Sequence, residues 1–291
     1  MLQRTKSKWK RHAQKGIVDI FIYSILICIV FLILYPLIRN ISDMFKSQGD
    51  LLNKSVAFIP KEFSLDRIRQ ALEYMDFWNS ARDTALLSLS MSLLQTLVCT
   101  MTGYGFARFK FPFKRLCFAL VIFTMLVPSQ LLMPSYYMQF RVFGSNSPLP
   151  LLILSFFGLG FKDGLFIYFI QQCFINMPKE LDESARIDGA GFLRIFFRIM
   201  LPNARPVIVT VLLLSFSWQW TEEYFTSLFM PGHMFLSSAF IPLANAQNLD
   251  GVVVAANVTT GVILTILPVF VLYLFLQKFF VQGVERSGLV G

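Results

Sequence analysis

Histidine occurs only twice in the 291 residues and cysteine only four times. His12 lies in a basic amino-terminal segment and His233 in a loop between apolar runs, so no histidine metal constellation can be assembled. Cys28, Cys99, Cys117 and Cys173 all fall in or beside apolar runs, with no close pair and no neighbouring histidines, which argues against a disulfide framework and against zinc. No G-x-x-x-x-G-K-[ST] loop is present to cradle nucleotide phosphates, so this chain is not its own P-loop ATPase. Nor is there a nucleophile–base pair, and no catalytic residue is assigned. The net charge of +9 comes without a basic aromatic platform or a recognised nucleic-acid motif, which sets aside nucleic acid as a partner.

What the chain has is hydrophobicity, at 55% of residues, against 15% charged. The apolar residues come in runs near the ~20 needed to cross a bilayer as a helix, without the alternation of barrel strands. The expectation is an all-α polytopic membrane protein with six transmembrane helices, roughly 16–38, 84–107, 116–133, 149–173, 207–229 and 258–280. Arg4, Lys6, Lys8, Lys10, Arg11 and Lys15 precede the first run without one acid, which places the amino terminus in the cytoplasm. The loops carrying Arg108, Lys110, Lys114 and Arg115, and then Arg186, Arg194 and Arg198, fall on the same side. The segment 231–250, placed outside, has no Lys or Arg. This gives a cytoplasmic basic tail at 1–15, one six-span membrane domain at 16–282, and a cytoplasmic tail at 283–291. The first run is too long for a signal peptide and lacks a small-residue cleavage site, so retention is expected. The outer segment 39–83 reads as a connector with one short helix capped by Ser64.

The polar interruption from Pro178 to Pro202 has helical order where a bare connector needs none. Pro178 followed by Glu180, Asp182 and Glu183 starts a helix, and Asp188-Gly189 ends it, since glycine readily takes positive φ. Ala190 and Gly191 leave room for tight contact. A second, amphipathic helix carries Phe192, Ile195, Phe196 and Ile199, after which Pro202 and Pro206 redirect the chain into the fifth run. Composition alone yields a structured cytoplasmic hairpin at about 178–202.

The run Glu183-Ser-Ala-Arg-Ile-Asp-Gly-Ala, followed by Ile199-Met-Leu-Pro202, resembles the EAA loop of the membrane (permease) subunits of bacterial ABC importers. Pro178-Lys-Glu-Leu-Asp, Phe106-Ala-Arg-Phe, Trp218-Gln-Trp-Thr-Glu-Glu-Tyr and Phe280-Val-Gln-Gly-Val are similar to the six-span subunit of the maltose-type carbohydrate importers. Ser184 stands where that pattern usually has Ala, and Trp-Gln-Trp-Thr-Glu-Glu-Tyr stands where Trp-Asn-Asp-Phe is common. The resemblance implies a type I importer permease fold in a bacterial cell membrane. It implies a coupling loop of Glu183, Ala185, Asp188, Gly189, Ala190, Ile199, Leu201 and Pro202, with Glu183 facing an ATPase and Gly189 permitting the bend. It further implies a second permease subunit as heterodimer partner, two ATP-binding subunits and an extracellular solute-binding protein. No cofactor is implied for this chain, ATP and magnesium being bound by the partner ATPase subunits.

A route for a small-molecule sugar is read from the residues themselves. Charge inside a span is costly, so Lys162 and Asp163, among Gly158, Gly160 and Gly164, should face a cavity or each other, unless they lie near an interface. Trp218, Glu222 and Glu223 could stack on a sugar ring and accept its hydroxyls, while Trp220 and Tyr224 read as an aromatic belt. The base-free segment 231–250 argues mildly against a strongly anionic cargo. Rival readings are import of another solute such as glycerol phosphate, a proton-coupled secondary transporter using Lys162 and Asp163, and a membrane enzyme.

Overall fold

The computed structural model describes residues 2–144, 146–245 and 250–286, with side chains in those ranges from Val18 to Phe279. The side chains of the basic segment 1–15, and the tail from 287 onward, lie outside the described residues. Every regular element among them is helical: α1 Leu2–Met44, α2 Gln48–Leu52, α3 Asp66–Tyr74, α4 Phe77–Arg108, α5 Lys114–Leu126, α6 Ser129–Phe140, α7 Leu149–Phe156, α8 Asp163–Asn176, α9 Glu180–Ile187, α10 Phe192–Trp220, α11 Tyr224–Phe229, α12 Ile241–Ala244 and α13 Gly251–Arg286. The chain divides into two compact units, 1–72 with 242–263, and 73–241 with 264–291.

In the first unit the apolar side chains of α1 from Val18 to Ile41 are largely exposed, as befits a helix whose solvent is lipid. The connector that follows is knitted around a buried lysine. Lys46 Nζ donates to Asp43 Oδ1 at 2.6 Å and to the carbonyls of Val56 at 3.3 Å and Ala57 at 2.7 Å, so all three ammonium protons have acceptors. Asp50 accepts the N–H groups of Lys61 and Glu62 at 2.7 and 2.9 Å. Ser64 Oγ accepts the Asp66 N–H at 3.1 Å, the cap expected for α3. Burial pulls the Arg67 guanidinium below its ordinary value, opposed by Asp43, and the group donates to Asn257.

The second unit is built on α4, which is polar inside and apolar outside. Ser80, Thr84, Ser88, Ser92, Gln95, Thr96 and Thr100 are buried at helical spacing, while Leu86, Leu89, Leu93, Leu97 and Met101 are exposed. That is the pattern of a span whose small residues let neighbours come close and whose leucines meet lipid. Thr84 and Thr100 return their hydroxyls to carbonyls four residues back, each at 2.6 Å, so burial leaves them satisfied. α8 and α10 pack along this face. At Gly103 a Cβ would meet Ile170 Cγ2 at 2.8 Å and the Gln171 backbone nitrogen at 3.0 Å, so α4 and α8 approach there without room for a methyl. Phe166, Ile170, Phe174, Met200, Val207 and Val211 fill the core below.

Several expected spans differ from what forms. The third is bent by 101° between α5 and the helix from Ser129, because Pro128 lacks an N–H and holds Val127 extended. The fourth is broken between α7 and α8 by Gly158 (φ +71°) and Lys162 (φ +68°). The fifth begins earlier and ends earlier, at Phe192 and Trp220, leaving Glu222 and Glu223 in the turn beyond it. Among the described residues four helices are long and apolar enough to cross a membrane, five if the bent pair counts as one.

Candidate functional site

The hairpin is built locally. α9 opens on Glu180, Asp182 and Glu183, acids that complement the positive end of the helix dipole. It closes with the Ala190 N–H on the Ala185 carbonyl at 2.9 Å and the Gly189 N–H on the Arg186 carbonyl at 3.0 Å. This is a Schellman motif, and Gly189 at φ +75° is its left-handed residue. A Cβ at Gly189 or at Gly191 would meet nothing within 4 Å. Gly189 is therefore required by backbone angle alone, and among the described residues nothing makes the tight contact expected at Gly191.

Ala185 is buried, Ala190 half-buried, and Ile199 and Leu201 pack against the core, whereas Glu183, Asp188 and Pro202 are exposed. Beside Glu183 lies Ile187, 86% exposed, with Leu193 and Phe197 on the same segment also exposed. The hairpin thus exposes acids and large apolar side chains together. The second arm corrects an expectation, because it does not end before the fifth span. α10 runs through Pro202 by a π turn at Phe196–Met200, with the Leu201 N–H reaching the Phe196 carbonyl five residues back. The register shift absorbs the missing proline N–H that would otherwise break the helix.

Arg108 and Asp182, read from the sequence only as a loop base and a helix-opening acid, meet at the hairpin. Arg108 Nε lies 3.1 Å from Asp182 Oδ2, and Arg108 Nη2 donates to the Met177 carbonyl at 3.0 Å. The available signal was the i, i+3 spacing of Asp182 and Ala185, which puts the acid on the buried face.

The break between α7 and α8 opens a cavity of about 460 Å3. Lys162, Asp163 and Glu222 line it, with Gln219, Phe161 and Tyr136. Asp163 is buried, its Oδ2 accepting the Gly160 N–H at 2.5 Å and its Oδ1 facing the Cys99 thiol at 3.4 Å. Gln95 Nε2 donates to the Phe161 carbonyl at 2.6 Å and its Oε1 accepts the Ser215 hydroxyl. The backbone groups freed by the break are thus met by side chains, as a low-dielectric setting demands. Lys162 is exposed and sits 5.1 Å over the Phe161 ring.

The remaining candidates divide. Trp218 stacks on Phe166 at 5.4 Å and meets Phe161 edge-on at 6.1 Å, so it backs the cavity without lining it. Glu222 accepts the N–H groups of Phe225 at 2.9 Å and Thr226 at 3.2 Å, capping α11. Glu223 is exposed and outside the lining. Trp220 is not a belt residue: it is buried and donates Nε1–H to the Thr265 carbonyl at 2.9 Å. Gln219, which the sequence did not flag, is buried with its Nε2 unbonded among the described residues.

The arrangement offers an exposed acidic and apolar face on the hairpin and a polar cavity within the same unit. Residues 99–286 match the family model described as binding-protein-dependent transport system inner membrane component. The chain belongs to that family. It is 28% identical over 277 residues, 92% of this chain and 95% of the other, to the maltodextrin transport system permease protein MdxG of Bacillus subtilis. A similar likeness, 28% over 284 residues covering 94% and 95%, holds for the galactooligosaccharides transport system permease protein GanQ of the same organism. Its fold is that of a chain in the crystal structure of a bacterial ABC transporter involved in import of the acidic polysaccharide alginate. The TM-score there is 0.77 at 20% identity, over 91% of this chain and 96% of that one.

Proposed function

We propose that this multi-pass membrane chain is a permease subunit of an ATP-driven ABC importer, forming with a second permease an alternating-access path for a sugar or oligosaccharide. The observation that carries this reading is the hairpin: an exposed acidic and apolar face on α9, closed by Gly189, whose second arm is the first part of the membrane-length helix α10. A partner seated on α9 would move a transmembrane helix directly. On this reading the hairpin and both termini face the cytoplasm, hydrolysis of ATP with magnesium belongs to two partner subunits, and an extracellular binding protein delivers the cargo. The names of relatives such as MdxG and GanQ support carbohydrate as the cargo class.

The cavity is proposed as part of the path. Its volume of about 460 Å3 lies within the range of ordinary small-molecule cavities, about 300–1,000 Å3. Gln219 has a free donor there, and Lys162 supplies a second. Gln219→Leu is expected to raise the transport KM for the cargo about tenfold, the scale of one lost hydrogen bond, while recovery of partner subunits stays unchanged; an unaltered KM removes the cavity from the path.

The deciding experiment is affinity purification of wild type and Gly189→Pro from the native membrane. Proline cannot adopt φ +75°, so the variant should lose a P-loop ATPase that wild type retains, while the second permease stays with both. Absence of any ATPase with wild type overturns the reading in favour of a secondary transporter.

A further inference from the structure

Arg108 is the last residue of α4, and Asp182 stands within the first turn of α9 on its buried face. Their side chains are 7% and 13% exposed, and neither Arg108 Nε nor Asp182 Oδ1 has a hydrogen-bond partner among the described residues, so the 3.1 Å contact is an ion pair without a hydrogen bond. As adhesion this is a poor choice, since apolar groups of similar volume in place of a buried ion pair are often neutral or stabilising. What the pair supplies is direction. The guanidinium donates Nη2 to the Met177 carbonyl at the α8–α9 turn while its Nε faces the Asp182 carboxylate of α9 as an ion pair, so one directional bond and one charge contact tie α9 to the end of α4.

One turn back along α4, Tyr104 meets the other arm, with ring centroids 5.9 Å from Phe192 and 4.8 Å from Phe196, and also Phe174 of α8 at 5.1 Å. The end of α4 therefore grips the first arm by charge and the second by rings. About 20 Å up the same helix, by its 1.5 Å rise per residue, Gln95 bonds the Phe161 carbonyl in the wall of the cavity.

We infer that the Arg108–Asp182 pair is the positioning contact that passes a displacement of α9 to α4, and through α4 to the broken segment lining the cavity. This rests on the coupling role proposed above. The pair makes the two ends of the unit one lever, where the ring contacts alone would allow α9 to slide.

The test uses the complete transporter, purified with its partner subunits and reconstituted in proteoliposomes, and reads cargo transported per ATP hydrolysed. Arg108→Met/Asp182→Leu leaves no unpaired buried charge, yet is expected to lower that ratio about fivefold or more, with the ATPases still co-purifying. A ratio within about twofold of wild type would make the pair a mere filler and overturn the inference. So would loss of the ATPases from the double variant, which would make Asp182 part of the docking face itself. Asp182→Glu keeps the charge but lengthens the arm by a methylene. It is expected to lower the ratio about twofold, and an unchanged ratio there also overturns the inference. Wild type purifying without any P-loop ATPase is a separate result that sinks the coupling role itself.

Discussion

Two chain breaks in this molecule use the same backbone device and are held in opposite ways. Between α7 and α8 the chain passes Gly158 and Lys162 in the left-handed region, and side chains from three helices close on it: Asp163 on the Gly160 N–H, Gln95 on the Phe161 carbonyl, and Ser215 on Gln95. At Gly189 the left-handed residue stands in open space, closed by backbone hydrogen bonds alone. In an apolar medium a broken helix must find polar side chains, because every unpaired amide costs free energy. At a wet surface water serves, and the bend can leave its outer face uncovered by the rest of the unit.

The largest expected effect breaks that contrast at its buried end. Asp163→Ala removes the acceptor for the half-buried Gly160 N–H and should cost about 2–3 kcal/mol of stability. Heating in detergent while labelling Cys99 and Cys173, both buried, would read it in a Cys28→Ser/Cys117→Ser background. A loss below about 1 kcal/mol would mean the buried break is held no more firmly than the exposed one.

Gly189→Ala comes next. It forces a left-handed conformation on a residue with a Cβ, at about 1 kcal/mol. That should appear as about fivefold weaker recovery of the ATPase, with the thermal midpoint nearly unmoved. Smaller, and of opposite sign, is Lys162→Gly, which relieves the same strain at the buried break. A gain of about 0.5–1 kcal/mol in the thiol-labelling assay is expected there, and a loss would show that the Lys162 side chain contributes to stability. Smallest is Gly191→Ala. With φ −69° and no neighbour within 4 Å, it should be neutral within about 0.5 kcal/mol in the same assay, which isolates Gly189 as the glycine that matters.

How much of this was legible in the sequence follows from how local each feature is. The first arm, its acidic opening and its glycine closure were readable because helix caps and positive φ are decided within a few residues. The cleft at Lys162–Asp163 was readable as an anomaly, charge in an apolar run, but its solution was not. Gln95 and Ser215 are 66 and 120 residues away from the groups they meet. Pro202 misled in the other direction, since a proline read alone ends a helix and only the π turn at Phe196–Met200 shows that it need not. Trp220 misled because an aromatic at a span end is usually interfacial, whereas a carbonyl on another helix takes its N–H here. The Arg108–Asp182 pair joins positions brought together by packing, and no spacing rule reaches across that distance.

The buried Lys46 has a consequence for covalent labelling. Its nitrogen donates to three acceptors and its side chain is 3% exposed, while Lys54 and Lys61 on the same short unit are exposed. An impermeant amine-reactive reagent applied to that side of the membrane therefore acylates two of these three lysines while the unit is folded. Acylation of the third is a chemical record that the unit has opened.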